Sequence, residues 1–105
     1  MDLDQKKWAN KAVETSNTIL DVRTPEEFSE GYISNAVNLN IYDANAFMSK
    51  IQSYDKENNY YIYCKSGARS SQACKIMSQL GFANVYNLLG GITNWKGKIS
   101  KWCCV

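Results

Sequence analysis

The chain of 105 residues is expected to form a single domain over residues 1–105, since a unit with its own core commonly takes roughly 100–150 residues. With 45% hydrophobic and 21% charged residues the composition is that of an ordinary globular protein. The net charge of +2 comes from 12 basic and 10 acidic residues scattered without the basic stripe that nucleic acid would require. No apolar run approaches the roughly 20 residues that span a bilayer, and Met1-Asp2-Leu3-Asp4-Gln5 lacks the basic-then-apolar layout of a signal peptide. A soluble, cytoplasmic protein without nucleic-acid or membrane partners is expected, with export of a longer precursor left open.

In chain order, Asp4 is placed to cap a first helix, with Leu3 and Trp8 in hydrophobic-staple positions and Ala12 extending the apolar face until the pattern fades near Ser16-Asn17. Ile19-Leu20-Asp21-Val22 reads as a buried strand that runs into Thr24-Pro25-Glu26-Glu27. There Thr24 caps, Pro25 takes the first helical position and Glu27 completes a capping box. Gly31 is expected to end that helix in the left-handed conformation, and Ala36-Val37-Asn38-Leu39 to form a short strand. Phe47, Met48, Ile51 and Tyr54 line one face of a further helix.

Tyr60-Tyr61-Ile62-Tyr63 favours a strand and leads directly into Cys64-Lys65-Ser66-Gly67-Ala68-Arg69-Ser70. Ala73, Ile76, Met77 and Leu80 then recur at helical spacing up to Gly81. Val85-Tyr86-Asn87-Leu88 is the last strand, and Gly90-Gly91 opens a helical turn whose Ile92, Trp95 and Ile99 are expected to face inward. Alternating strands and helices imply an α/β fold with a parallel sheet.

Histidine is absent, which removes every mechanism built on an imidazole base. Of the four cysteines, Cys64, Cys74, Cys103 and Cys104, none forms a C-x-x-C pair, so reduced thiols are expected and no metal or organic cofactor is indicated. Adjacent Cys103 and Cys104 sit too close for an unstrained disulfide. Cys64 stands at the carboxyl end of a strand, where open α/β sheets bind ligands, and before a helix whose N-terminus carries about half a positive charge. Loop amides curled around the sulfur would add hydrogen bonds, and such surroundings bring a cysteine from near 8.5 into a range of about 3.5–7.5. The bland alternative is a small hydrophobe closing a buried strand.

The string Cys64-Lys65-Ser66-Gly67-Ala68-Arg69-Ser70 resembles the active-site loop of single-domain rhodaneses, C-x-x-G-x-R-[ST]. Leu20-Asp21-Val22-Arg23-Thr24-Pro25-Glu26-Glu27-Phe28, followed by Gly31-Tyr32-Ile33 and Ala36-Val37-Asn38-Leu39, resembles that family's opening signature. Leu89-Gly90-Gly91-Ile92 with Trp95 resembles its closing one, so the likeness runs in order over residues 19–97. It implies a three-layer rhodanese-like fold with a central, mostly parallel sheet of four to five strands flanked by helices on both faces.

The same resemblance implies transfer of sulfane sulfur from a small anionic donor such as thiosulfate to a thiophilic acceptor, cyanide or a thiol, through a persulfide on Cys64. A protein donor or acceptor is a further partner class. Lys65, Ser66, Gly67, Ala68 and Arg69 would form the cradle for the donor. Arg69 is read either as a fork on its oxygens or as a first-turn residue paired with a carboxylate, and Lys65 either as an anion attractor or as a solvated charge. Asp21 and Arg23 are expected to brace the site as an ion pair, Trp8, Trp95 and Trp102 to pack in the core, and Cys74 to be core or a resolving thiol.

Two departures stand out. Tyr32 occupies the place of a family histidine, and only three residues precede the first helix where the family often has an edge strand. The rivals are a cysteine phosphatase or arsenate reductase, whose loops hold one residue more between cysteine and arginine, and a non-catalytic binding module of the same fold.

Overall fold

The computed structural model describes residues 2–12 and 17–100. Trp102, Cys103 and Cys104, and the expected fading of the first helix at residues 13–16, lie outside the described residues.

Five parallel strands make the central sheet: β1 (Asp2–Leu3), β2 (Thr18–Asp21), β4 (Val37–Asn38), β5 (Asn59–Tyr63) and β6 (Asn84–Leu88), in the order β1-β6-β5-β2-β4. A second, two-stranded sheet pairs β3 (Tyr32–Ile33) antiparallel with β7 (Ile99–Ser100). The edge strand that the short N-terminus was expected to lack is therefore present. Asp2 and Leu3 pair with Asn87 and Leu88 of β6 before the chain turns into α1 (Gln5–Ala12).

Alternation along β5 sorts its side chains to two faces, as the pleat requires. Tyr60, Ile62 and Cys64 join Leu20, Val22 and Val85 on one face, beneath Phe47 and Ile51 of α3 (Ala44–Gln52) and Ala73 and Met77 of α4 (Ala68–Gln79). Tyr61 and Tyr63 point the other way, into a cluster with Trp8 and Ala12 of α1, Ile33 and Leu88. Trp8 is fully buried and meets Tyr61, Tyr63 and Trp95 edge-on, so one aromatic side chain closes that layer.

The helix starts follow their expected chemistry. The amide of Lys7 donates to the Asp4 carboxylate at 2.9 Å. α2 (Pro25–Glu30) carries the full capping box, with Glu27 N–H on Thr24 Oγ1 at 3.3 Å and Thr24 N–H on Glu27 Oε1 at 3.2 Å. Two expectations fail. Gly31 keeps a positive φ that favours glycine, but at φ 153°, ψ 137° it lies outside the left-handed cap, and the chain passes straight into β3. Ile99 does not face inward: the helical turn after Gly91 is a 3₁₀ turn (Ile92–Asn94), and Ile99 lies 41% exposed on β7. Among the described residues no helix is long and apolar enough to cross a membrane.

At the carboxyl end of β2, Arg23 grips Asp21 through Nη2–Oδ2 at 2.6 Å and through Nε to both carboxylate oxygens at 3.0 Å. The same guanidinium donates to the Gly31 carbonyl at 2.7 Å and lies over the Tyr63 ring. Asp21 is wholly inaccessible to solvent, so removing it would strand a buried cation. Asp21→Ala is expected to cost about 3–5 kcal/mol of stability in urea unfolding; a loss below about 1 kcal/mol would show that water reaches the guanidinium.

Candidate active site

β5 ends at Tyr63, and Cys64 to Gly67 carry the chain into α4. Cys64 is 1% exposed, and its sulfur accepts the Gly67 amide at 3.0 Å and the Ser70 hydroxyl at 3.4 Å. Gly67 reaches this position at φ 108°, a conformation that a side chain resists.

What aims the loop lies on its other side. The Ile92 amide holds the Cys64 carbonyl at 3.0 Å, and the Thr93 amide and hydroxyl hold the Lys65 carbonyl at 3.1 and 2.7 Å. In a trans peptide the N–H opposes the C=O, so holding the Cys64 and Lys65 carbonyls outward turns the amides of Lys65 and Ser66 the other way, and the Ser66 amide is one of the donors to the sulfur. Gly91 makes that grip possible: a Cβ there would lie 2.4 Å from the Lys65 carbonyl oxygen and 2.5 Å from that of Cys64.

Burial raises the thiol's pKa, as it does for any group that ionises to an anion. Hydrogen bonds from the Ser70 hydroxyl and from the amides of Ser70, Gly67 and Ser66 outweigh it, and Cys64 titrates below its ordinary value. Cys74, buried on α4 without such donors, is pushed up to about 11 and packs as core.

These features coincide with a known pattern of sequence. Residues 5–98 match the Rhodanese-like domain family. The chain belongs to that family. It is 38% identical over 95 residues to a sulfurtransferase of Allochromatium vinosum, covering 90% of this chain and 86% of that protein. A rhodanese-like domain protein of Staphylococcus aureus superposes with a TM-score of 0.82 at 28% identity, covering 97% and 98% of the two chains. A tRNA uridine(34) hydroxylase of Pelagibacter ubique is 33% identical over 100 residues, which span 94% of this chain and 33% of that protein. Rhodanese-like chains thus occur both as sulfurtransferases and inside larger proteins with other activities.

Within this rhodanese-like chain the cradle residues divide. Ser66 and Gly67 turn their amides to the sulfur, whereas the side chains of Lys65 and Ser66 stand exposed and Ala68 opens α4. Arg69 is committed elsewhere. Its Nη1 and Nη2 fork onto Glu27 at 2.7 and 3.0 Å, and its guanidinium lies over the exposed ring of Tyr42. Tyr32, in the family histidine's place, stacks on Phe28 with ring centroids 4.1 Å apart.

A recess of about 220 Å³ lies beside the loop, lined by Arg23, Glu27, Glu30, Gly31, Lys65, Ile92 and Thr93. A larger groove of about 1070 Å³ runs between α1, Ile33 and residues 95–98, and no residue of the Cys64 loop lines it. The smaller one is the one that reaches the Cys64 loop, through Lys65.

Sequence reasoning undervalued three residues. Ser70 and Gly91 stand inside quoted motifs but were given no task there. Asn87, 2% exposed, is betrayed only by being a polar residue within an apolar strand.

Two outcomes follow from this geometry. Gly91→Ala should displace the Cys64 and Lys65 carbonyls and so turn amides away from the sulfur. A rise of about one pKa unit, or tenfold slower alkylation of Cys64 at pH 7, is expected, and unchanged alkylation would separate Gly91 from loop placement. Second, the Arg69 hydrogen bonds hold the Glu27 carboxyl down at about 2, against an ordinary 4.5. A depressed folded pKa means stability that is complete above pH 5 and drains away as pH falls from about 4.5 toward 2. Glu27→Gln should flatten that part of the stability-versus-pH curve, read by urea unfolding at stepped pH.

Proposed function

We propose that this protein is a sulfurtransferase that carries sulfane sulfur as a persulfide on Cys64, taken from a small anionic donor such as thiosulfate and delivered to cyanide or a thiol. The observation that carries this reading is the sulfur's donor set: the Gly67 amide and Ser70 hydroxyl on a buried cysteine, in a chain with no histidine. Ionisation is favoured by hydrogen bonds from these groups, so no imidazole base is needed.

The steps balance without an added oxidant. The Cys64 thiolate attacks the outer sulfur of thiosulfate, an Sγ–S bond forms, the donor's S–S bond breaks, and sulfite leaves with the bonding pair. An acceptor then attacks the outer sulfur and returns the thiolate. Donor amides that stabilise the resting anion remain in place for the outer sulfur, whose charge replaces it.

Lys65 stands at the recess, where its ammonium draws anions by long-range attraction. The Arg69 fork is occupied by Glu27, and in this reading its part is to fix α2 against α4, with donor oxygens met by amides of the loop. Asp21 and Arg23 brace the carboxyl end of β2, one strand over from the loop. A protein persulfide is a second donor compatible with the exposed loop side chains. Free thiols at Cys64 and Cys74 suit a reducing compartment such as the cytoplasm.

A cysteine phosphatase of the same fold is less well served. Phosphoryl transfer asks for an arginine fork over the sulfur to meet equatorial oxygens, and here that fork faces a carboxylate. Intact mass after incubation with thiosulfate should show the gain of one sulfur, removed by cyanide and absent in Cys64→Ser. Persistence of sulfur loading or thiocyanate production in Cys64→Ser would remove this residue from the reaction, and turnover of an aryl phosphate without sulfur loading would favour the phosphatase.

A further inference from the structure

Behind the Ser70 hydroxyl lies a buried side chain, Asn87, that the reaction as proposed does not use. Ser70, inaccessible to solvent, has one hydroxyl hydrogen and three acceptors within reach: Cys64 Sγ at 3.4 Å, the Gly67 carbonyl at 3.2 Å and Asn87 Oδ1 at 2.5 Å. The Asn87 amide can stand only one way round. Its nitrogen faces the Asp2 carboxylate at 3.0 Å and the Gly67 carbonyl at 3.4 Å, both pure acceptors, so that atom is the NH₂ and the oxygen is left to face Ser70. No hydroxyl can donate to three acceptors at once, so which of them holds the hydrogen depends on their charge.

We propose that Asn87 is a positioning residue for the sulfur chemistry, acting through Ser70 as the alternate acceptor of its hydroxyl hydrogen. When Sγ is neutral, as thiol or as the inner sulfur of a persulfide, the hydroxyl donates to Asn87 Oδ1 and turns a lone pair toward the sulfur. When Sγ is a thiolate, the hydroxyl rotates and donates to it. The hydrogen stays bonded to the Ser70 oxygen throughout, and the proton lost from sulfur goes to solvent. Asn87 thereby stabilises the neutral-sulfur states, which opposes ionisation of the free thiol and favours the loaded form.

The inference rests on Cys64 being the sulfur-carrying residue, but its test does not use sulfur transfer. The rate of iodoacetamide alkylation of Cys64, read on the tryptic peptide of residues 57–65, gives the thiol's titration midpoint directly. Asn87→Val removes the alternate acceptor, so the hydroxyl serves the sulfur alone. The midpoint should fall by about half a unit, roughly threefold more thiolate at a pH well below it. Ser70→Ala should raise it. In the Ser70→Ala background, Asn87→Val should change nothing, because Asn87 has then lost the group through which it acts. An upward or absent shift with Ser70 intact, or an equal downward shift in both backgrounds, overturns the proposal.

Should the valine variant not fold, two readouts remain. Asn87→Ala removes the same acceptor, and in the unmutated protein the Asn87 side-chain carbonyl resonance should titrate with the Cys64 midpoint; an Asn87 signal constant through that pH range overturns the proposal as well. If these results hold while thiosulfate fails to load Cys64, the sulfurtransferase reading falls and the Asn87–Ser70 device stands.

Discussion

The grip of the Ile92 and Thr93 amides on the carbonyls of Cys64 and Lys65 is the constraint from which the rest of the site follows. A loop at the end of a buried strand could present either edge of its peptides to the sulfur. Because both carbonyls are held outward, the amides are left facing in, and planarity of the peptide converts a contact made with one segment into polarity delivered at another. The 3₁₀ turn that supplies those amides can approach only because Gly91 has no side chain, so a glycine distant in sequence helps orient the Ser66 amide toward Cys64.

That polarity has to overcome burial. A cysteine with almost no accessible surface would ordinarily remain a thiol, as Cys74 does on α4, pushed up to about 11 by burial. The two cysteines share one apolar cluster and differ in their donors. Cys64 has an amide at 3.0 Å and a hydroxyl at 3.4 Å, and hydrogen bonds to an anion are roughly twice as strong as those between neutral groups. The comparison within a single protein isolates the cause: the same residue type in the same core titrates in opposite directions because only one lies where a helix begins.

The order of strands and helices was legible because it depends on local pattern. Thr24, Pro25 and Glu27 announce a helix start through spacing alone, and the strand-favouring residue types of Tyr60 to Tyr63 announce a strand. Position of the cysteine at a strand's end was legible for the same reason. Elements that failed depend on contacts between segments remote in sequence. β1 exists because Asp2 and Leu3 find β6, the exposure of Ile99 reflects pairing of β7 with β3, and Gly31 departs from the left-handed cap where it enters β3, the strand that β7 pairs with. Arg69 could be read two ways in the sequence, and only the fold brings Glu27, 42 residues away, into its reach.

That last contact bears on what the site can hold. Two arginines lie near the loop and each is already matched, Arg69 by Glu27 and Arg23 by Asp21. Their positive charge is compensated before any ligand arrives, so attraction at the sulfur rests on amide dipoles, one hydroxyl and the exposed Lys65. Dipoles act at short range and scale with how closely the anion fits among them. They suit a compact anion seated in the loop, as the outer sulfur of a persulfide would be. Glu27 has a second consequence, since the oxygen that accepts from Arg69 also accepts from the Thr24 amide and so ties the capping box of α2 to the first turn of α4. The residues that neutralise the arginines are therefore the ones that fix the walls of the recess, and charge balance and shape are set by the same bonds.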